Sequence, residues 1–283
     1  MQEISTNVYI DTSYEGVTLG ALKWPHGLIL IDAPFRPEDI RSWRSSLMNM
    51  GGGNHLLINM DCHADRLLGA KAMESIVVAH DEVSHLLLSR PATFKTIPAD
   101  MGCDWENFES LGNIRWAIPE ISFSDQFSVL WDKSPINLIS RPGCAKGAIW
   151  VQLPEEKILF VGDCVVAHQP PYFATANIPV WIQNLKEILS PMYQEYTIIG
   201  GRNGVLHYSD VENQIQYLDD VYHQISQLAN SHGDIAQIKK IAVALAEKFP
   251  TLDHYRKNIY TNRLCFGLTE YYREKYLAEP DPA

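Results

Sequence analysis

The feature that most constrains this chain is a series of short apolar runs that alternate with helical stretches over its first two hundred residues. Buried strands are predicted at LILID (28–32), HLLIN (55–59) and YTIIGG (196–201). AIWVQL and KILFVGD flank the turn PEE, which is a strong hairpin signal. Many strands interleaved with helices favour an α/β (α+β) architecture of two sheets covered by helices over a pure sandwich.

After His207 the pattern becomes helical. Residues 209–212 read SDVE, which fits a capping box, and apolar residues then recur at helical spacing in three successive stretches. We therefore expect residues 1–207 to form an α/β body and residues 208–283 to form a helical module packed on it. The aromatic surplus of the last stretch favours core packing, with a homo-oligomer contact through these helices as the alternative.

The composition argues against several classes of function. The formal net charge is −11 and the pI about 5.3, which disfavours nucleic acid as the main partner. No run of about 18 apolar residues occurs, so no membrane span is expected. The first residues contain neither a basic region nor an apolar core of signal-peptide type. The five cysteines are odd in number and scattered, which is typical of free thiols in a reducing cytoplasm.

One of the predicted strands leads into residues of metal-ligand type. LLINMDCHADRLLG (56–69) places Asp61, His63 and Asp65 at alternate positions, with Arg66 directly after them. Carboxylates and imidazoles are common metal ligands, whereas arginine has no lone pair to give. Taken singly, the acids would be explained by turn hydrogen bonds and the histidine by a place in the core. This loop alone therefore leaves a metal site and a structural role open.

Five segments, in the right order, resemble the metallo-β-lactamase superfamily. GLILIDAP is similar to its hairpin that ends in a buried Asp, LLINMDCHADRLLGA to the His-x-His-x-Asp-His loop, and IVVAH to the strand after it. LISRPGCAKGAIWVQLPEEKILFVGD resembles Gly-His-Thr-Pro-Gly, a hairpin and Phe-x-Gly-Asp, and IIGGRNG resembles the closing Gly-His motif. The resemblance implies a four-layer αββα sandwich with a helical C-terminal extension. It also implies two metal ions, mostly zinc, and hydrolysis by a bridging hydroxide.

The resemblance assigns seven metal-ligand positions, and only some of them keep a ligand. Four hold a residue that can bind a metal: Asp61, His63, Asp65 and Asp163. Three hold a residue that replaces a histidine: Arg66, Ser140 and Arg202. The two arginines repel a cation, and we expect their guanidinium groups to pair with the retained acids. A dinuclear zinc centre is therefore not expected.

The first metal position is less depleted than the second. By the resemblance, its ligands would be Asp61, His63 and Ser140, with Asp163 nearby and His168 as a candidate substitute. One imidazole with carboxylates suits weakly held Mn²⁺ or Mg²⁺ better than Zn²⁺. We therefore expect either no cofactor or one weakly held divalent ion.

Three functions stay open as alternatives. The first is a hydrolase-like protein whose dinuclear site is lost or reduced, with a pocket of Asp65, Arg66, Asp163 and Arg202 that binds a small anionic ligand. The second is a mononuclear metal-dependent hydrolase of an ester, amide or phosphodiester, with Asp65 as the catalytic general base. The third is a non-catalytic scaffold that pairs through its C-terminal helices. Specificity is expected from the loop at 91–122, whose pattern names no substrate.

Overall fold

A seven-stranded sheet forms the first half of the protein. The computed structural model describes residues 1–51, 53, 55–95, 100–108, 111–130, 134–251 and 253–277. The strands of this sheet are β1 (Gln2–Ser5), β2 (Val8–Asp11), β3 (Leu19–Trp24), β4 (Gly27–Ile31), β5 (His55–Ile58), β6 (Ile76–His80) and β7 (Ile121–Phe123). They lie in chain order, antiparallel from β1 to β4 and parallel from β4 to β7. The carboxyl ends of β4, β5 and β6 therefore meet at one edge of the sheet.

A six-stranded sheet forms the second half. Its strands are β8 (Gln126–Leu130), β9 (Pro135–Ser140), β10 (Ile149–Leu153), β11 (Ile158–Gly162), β12 (Thr197–Gly200) and β13 (Gly204–Leu206). Their order is β13-β12-β11-β10-β9-β8, and only the β11–β12 pair is parallel among the described residues. The predicted hairpin at PEE is confirmed, since β10 and β11 pair antiparallel around it.

Seven α-helices accompany the sheets in the described part of the chain. They are α1 (Pro37–Asn49), α2 (Ala64–Leu67), α3 (Asp81–Leu88), α4 (Ile178–Ile188), α5 (Tyr208–Asn230), α6 (Ile238–Ala246) and α7 (His254–Tyr272). Short 3₁₀ turns cover Ala70–Met73, Asp104–Asn107, Pro191–Tyr193 and Ile235–Gln237, and a π-helical turn, Arg273–Leu277, follows α7. None of the helices described is both long and apolar enough to cross a bilayer.

The layers are held together by hydrophobic cores on both faces of each sheet. Between the sheets, Ile58 of β5 belongs to the same buried cluster as Phe160 of β11. Trp43 of α1 packs on the outer face of the first sheet, and Trp181 of α4 packs with Trp150 of β10 on the outer face of the second. The order helix, sheet, sheet, helix confirms the predicted four-layer αββα sandwich.

The continuous apolar run of β5 follows from burial on both of its faces. Leu57 faces the cluster of α1, whereas the next residue, Ile58, faces the core between the sheets. Successive side chains of a strand point to opposite faces, so a strand covered on both sides needs apolar residues without alternation. This explains why residues 56–58 of β5, LLI, are all apolar, without a polar residue at alternate positions.

The C-terminal helices share a core with the second sheet. Leu218 of α5, Ala242 of α6 and Leu264 of α7 lie in the same buried cluster as Trp150 of β10. The aromatic side chains of α7 are buried within the chain, with Tyr271 and Tyr272 only 2% and 3% exposed. This burial agrees with core packing. The division at residue 207 and the pairing of subunits stay predictions.

Several element boundaries differ from the sequence prediction. The helix predicted to begin at Ser209 begins at Tyr208, because Asp210 accepts a hydrogen bond from the backbone N–H of His207 (2.8 Å). The sequence RLLGAKAME (66–74) predicts a single short helix, but the structure divides this region into α2 and a 3₁₀ turn. The sequence GGG (51–53) predicts the end of the preceding helix; Gly52 lies outside the described residues, and α1 ends at Asn49.

Two helices were missed, although one of them carries a readable start signal. Asn177 caps α4 by accepting a hydrogen bond from the backbone N–H of Val180 (3.4 Å), and Pro179 occupies its first turn. This combination of cap and proline is typical of a helix N-terminus. Helix α3 begins directly after β6, with no turn residues to separate them, so its start is hidden in the sequence.

Gly69 is required where the loop after β5 folds back on the first sheet. A Cβ at this position would lie 1.9 Å from the carbonyl oxygen of Pro34, whereas a Cβ on Gly53 would meet nothing within 4 Å. We expect Gly69→Ala to lower the free energy of unfolding by about 3 kcal/mol through overpacking, and Gly53→Ala to change it by less than about 0.5 kcal/mol. Urea denaturation measures both, and equal effects would contradict the close approach.

Candidate functional site

The residues of ligand type lie where strands of both sheets end. Asp61 and His63 follow β5 of the first sheet, and Asp163 and Arg202 follow β11 and β12 of the second. The two edges are joined by backbone hydrogen bonds such as Ile149 N–H to the carbonyl of Met60 (2.9 Å). The fold therefore brings residues from positions far apart in the sequence into one cluster.

Asp61 shapes the loop in which it lies. Its Oδ1 accepts a hydrogen bond from the backbone N–H of His63 at 2.8 Å, and its Oδ2 lies 3.0 Å from Nδ1 of the same residue. Asp61 is fully buried, so both of its oxygens have partners inside the protein. Asp61 thus both stabilises the local turn and belongs to the cluster.

His63 lies between two carboxylates. Its Nδ1 is 3.0 Å from Asp61 Oδ2 and 3.5 Å from Asp163 Oδ2. Burial lowers the pKa of His63, but the two carboxylates outweigh burial and raise its pKa from the ordinary 6.5 to about 10. At neutral pH the imidazole is therefore protonated and adds a positive charge to the cluster.

Arg202 connects three carboxylates. Its Nη2 donates to Asp65 Oδ2 at 2.7 Å, its Nε to Asp163 Oδ2 at 2.9 Å, and its Nη1 to Asp104 Oδ2 at 2.8 Å. The side chain is only 9% exposed. Every nitrogen of the guanidinium therefore has a carboxylate partner, as predicted for Asp65 and Asp163 but not for Asp104.

Arg66 lies deeper and completes the pairing of Asp163. Its Nη2 donates to Asp163 Oδ1 at 2.5 Å, and its Nη1 donates to the carbonyl of Gly16 at 3.3 Å. Its Nε is 3.6 Å from Asp32 Oδ2, and the side chain is fully buried. Asp163 thus has one arginine on each oxygen, which is a strong charge-assisted arrangement.

The two arginines change the acidity of the carboxylates they contact. Burial raises the pKa of Asp65 and Asp163, but Arg202 and Arg66 outweigh it and hold both pKa values below the ordinary 3.8, that of Asp163 well below. A carboxylate stabilised in this way is a weak base. The environment of Asp65 therefore does not favour the general-base role that the sequence suggested for it.

As they are arranged, these residues do not fit a second metal ion. Such an ion would lie between Asp65 and Asp163, but Nη2 of Arg202 is 2.7 Å from an oxygen of the first and 2.9 Å from an oxygen of the second. Arg66 engages the remaining oxygen of Asp163. A guanidinium cannot ligate a cation and repels it.

The first metal position is the only cluster of metal-binding type that the described residues form. Ligand atoms of Asp61, His63 and Asp163 all lie within 4.8 Å of one another. Ser140 is not part of this cluster, because its hydroxyl lies 3.0 Å from Nε2 of His80, which also contacts the carbonyl of Ser124 (2.8 Å).

His168 also lies apart from the cluster. Its side chain is exposed, its backbone has a φ of 62°, and it lines a separate cavity of about 450 Å³ with Asp210 and Lys248. The structure thus does not bring His168 to the position of a substitute ligand.

Sequence reasoning missed two members of the ion-pair network. Asp104, in the 3₁₀ turn after residue 103, accepts hydrogen bonds from Arg202 (2.8 Å) and from Arg263 of α7 (3.2 Å). Arg263 also donates to the carbonyl of Gly102 at 2.8 Å and is 3% exposed. A signal for it exists, since Arg263 interrupts the apolar face of α7 beside Leu264, and a buried arginine requires a carboxylate or carbonyl partner.

Asp32, the residue after β4, is a third buried acid beside Arg66. Its φ of 57° lies in the left-handed region, which Asp and Asn tolerate better than most residues. Its Oδ1 accepts a hydrogen bond from the backbone N–H of Met60 at 3.0 Å. Burial raises its pKa from the ordinary 3.8 to about 7, although the guanidinium of Arg66 opposes the rise.

A cavity of about 790 Å³ opens beside the cluster. His63, Asp65, Asp163 and Arg202 lie on its inner side. The loop at 91–122, expected to determine specificity, supplies the aromatic walls with Phe94, Trp105 and Trp116. Residues 96–99 and 109–110 of that loop lie outside the described residues. The volume is in the range of small-molecule binding sites.

Comparison with solved structures identifies the fold. The chain matches a metallo-β-lactamase from Pontibacter korlensis with a TM-score of 0.59 at 18% identity, over 77% of this chain and 97% of that chain. It matches DIM-1 metallo-β-lactamase with a TM-score of 0.58 at 18% identity, over 77% of this chain and 96% of that chain. No protein-family model and no curated protein matches the sequence.

A longer protein matches nearly the whole chain. A double mutant of the sec-alkyl sulfatase PisA1 matches with a TM-score of 0.69 at 14% identity, over 96% of this chain and 49% of that chain. This chain therefore spans about half the length of the sulfatase, and the match includes the C-terminal helices. The chain has the metallo-β-lactamase fold, as the resemblance of its motifs predicted, and is a divergent example of it.

Removing Arg202 tests the ion-pair network. We expect Arg202→Met to lower the free energy of unfolding by about 3–5 kcal/mol, because it leaves the buried carboxylate of Asp65 without its arginine and removes one of the two arginines that contact Asp163. The control is Arg44→Met, which breaks an exposed ion pair with Glu74 (2.9 Å) and should unfold at nearly the same urea concentration as the original protein. If both variants were equally stable, the network would not support the fold.

Asp32 should make stability depend on pH. Its pKa of about 7 exceeds the ordinary 3.8, so the folded state binds a proton that the unfolded state releases, and stability falls as pH rises between these values. Asp32→Asn keeps the hydrogen-bond acceptor and removes the titration. We expect the difference in unfolding free energy between the two proteins to change by up to about 1.4 kcal/mol per pH unit between the ordinary pKa of 3.8 and the folded-state pKa of about 7. Parallel profiles from urea denaturation at several pH values would contradict the raised pKa.

Proposed function

We propose that this protein is a hydrolase-like member of its fold whose second metal has been replaced by arginine, and that it binds a small anionic ligand in the cavity beside the cluster. The observation that carries the proposal is the position of Arg202, whose guanidinium joins Asp65 and Asp163 at 2.7 Å and 2.9 Å. These are the two carboxylates that the motif resemblance assigns to the second metal.

Charge balance supports the replacement. The carboxylates of Asp65 and Asp163 are buried and would be unstable without a neighbouring cation. Arg66 and Arg202 supply that charge permanently, because a guanidinium does not deprotonate in proteins. A divalent ion entering this position would have to displace a hydrogen-bonded arginine and add charge to a site that is already compensated. The acids therefore favour arginine over metal.

A small molecule is the expected kind of ligand. The cavity is concave, about 790 Å³ in volume, and reaches His63, Asp163 and Arg202 at its inner side. Such dimensions suit a metabolite-sized compound and exclude a folded macromolecule. An anion is favoured because the exposed basic side chains of Arg90, Lys95 and Lys146 line the cavity, although the chain as a whole has a net charge of −11.

A mononuclear hydrolase is the second candidate, and one observation favours it. Asp61, His63 and Asp163 place three ligand atoms within 4.8 Å of one another. In the present arrangement His63 is held between two carboxylates, and an ion would have to compete with its proton. The candidate also lacks an evident base, since Asp65 is paired with Arg202. We therefore place it second.

Metal content distinguishes the two candidates. Protein purified without chelator should contain less than about 0.1 equivalent of zinc or manganese, because one imidazole and paired carboxylates bind these ions weakly. Elemental analysis by mass spectrometry measures this. One full equivalent of a divalent ion that resists dialysis would overturn the proposed function in favour of the mononuclear hydrolase.

Restoring the histidines tests the mapping of the ligand positions. We expect Arg66→His/Arg202→His to bind at least about one equivalent of zinc, because it removes two positive charges and supplies two imidazoles beside Asp65 and Asp163. The matched control is Arg44→His/Arg273→His, which changes two arginines whose partners are the exposed Glu74 and Glu270. Equal zinc uptake by both variants would refute the mapping.

A further inference from the structure

The size of the cavity shows that a lone inorganic anion would not fill it. Its volume is about 790 Å³, and it extends from the loop of His63 past α3 to the loop at 101–105. A carboxylate or sulfate group occupies only a small part of such a space. A ligand that fills the cavity therefore carries a body as well as a charged group.

The buried arginines are not available to hold that charged group. Each guanidinium nitrogen of Arg202 already donates to a carboxylate, and Arg66 is fully buried behind it. An anion placed against them would face the carboxylates of Asp65 and Asp163 at the same time. Side chains other than Arg66 and Arg202, the two predicted from the sequence, are therefore the candidates for binding the ligand's charged group.

Three other cations line the cavity at its exposed side. They are Arg90, which follows the C-cap residue of α3, then Lys95, and Lys146 in the loop between β9 and β10. None of the three has an ion-pair partner within the described part of the chain. One exposed acid, Glu82, also lines this side of the cavity. The three cations outnumber it, so the net charge of the exposed side is positive.

Two of these cations flank α3. Lys146 precedes Gly147, where a Cβ would lie 3.1 Å from Sγ of Cys62 and 3.2 Å from Cβ of Glu82, so this loop packs on the first turn of α3. Arg90 follows the last turn of the same helix. Basic side chains at both ends of α3 can therefore contact an anion at the exposed side of the cavity. Binding there does not involve the cluster of Asp61, His63 and Asp163.

The walls of the cavity are aromatic. The ring of Phe94 meets that of Trp105 edge to face at 5.0 Å and that of Trp116 at 5.4 Å, and all three side chains are at least nine-tenths buried. The guanidinium of Arg90 lies 5.7 Å from the Trp116 ring, which joins the charged side to the apolar wall. Such a wall binds flat or hydrocarbon groups by apolar burial and edge contacts.

We infer that the ligand is an amphipathic anion whose aromatic or hydrocarbon body packs on Phe94, Trp105 and Trp116 while its carboxylate, sulfate or phosphate binds Arg90, Lys95 and Lys146. The inference rests on the proposed function, because it takes the inner cluster to be compensated by arginine. Charge and body are recognised by different parts of the cavity, so each contributes separately to affinity.

Three probes separate these contributions. Naphthalene-2-sulfonate carries both a body and a charge, 2-naphthol carries the body alone, and methanesulfonate carries the charge alone. By isothermal titration calorimetry at low salt, we expect naphthalene-2-sulfonate to bind at least about tenfold more tightly than either of the other two. Equal affinity for naphthalene-2-sulfonate and 2-naphthol would overturn the inference, and so would no binding of naphthalene-2-sulfonate.

Matched variants locate the charged group. Arg90→Gln/Lys146→Gln should weaken binding of naphthalene-2-sulfonate about tenfold, whereas Arg256→Gln/Lys239→Gln removes the same charge from exposed residues outside the cavity and should leave it unchanged. Melting curves of each variant show that the fold is retained, as expected for exposed side chains. Equal affinities of the two variants for naphthalene-2-sulfonate would refute binding of the charged group by Arg90 and Lys146.

The same preparations separate this inference from the proposed function. Metal content is measured before titration. A full equivalent of tightly bound metal overturns the proposed function and the inference that depends on it. Metal-free protein that fails to bind naphthalene-2-sulfonate overturns the inference alone and leaves the replacement of the second metal standing.

Discussion

The site and both sheets depend on one buried interaction, the pairing of Arg202 with carboxylates that come from different halves of the sandwich. Asp65 belongs to the segment after β5 of the first sheet, and Asp163 to the turn after β11 of the second. Neither acid can be buried as an anion unless a cation lies beside it. The guanidinium of Arg202 joins the two acids, because it is permanently charged and presents several donors in one plane.

The same interaction extends the site into the C-terminal helices. Asp104 accepts hydrogen bonds from Arg202 on one side and from Arg263 of α7 on the other, so the last long helix is tied to the residues after β12. Arg263 also binds the backbone of the loop that contributes Trp105 to the cavity. A displacement of α7 would therefore move the loop that contributes Trp105 to the cavity and would also alter the ion pairs of Asp104.

The cluster around Arg66 and Arg202 and the exposed side of the cavity differ in their net charge. Arg66, Arg202 and a protonated His63 compensate the carboxylates around them, which leaves the inner cluster with little net attraction for a further ion of either sign. Arg90, Lys95 and Lys146, by contrast, have no carboxylate within ion-pair distance among the residues that the structure describes. The anion recognition proposed above is therefore assigned to the exposed side of the cavity, where these basic side chains lie.

The sequence by itself determined the architecture and the position of most of the site. Unbroken apolar runs such as LLI at 56–58 predicted a buried strand. The residues directly after strands converge because strand ends meet at one edge. The expectation that no second metal binds also came from residue type, since arginine has no lone pair. Only the tertiary structure decided that Asp104 accepts hydrogen bonds from Arg202, 98 residues away, and from Arg263, 159 residues away, and that Ser140 turns to His80. Local patterns record how a segment folds and which face it buries, but not which distant segment supplies the partner of a buried charge.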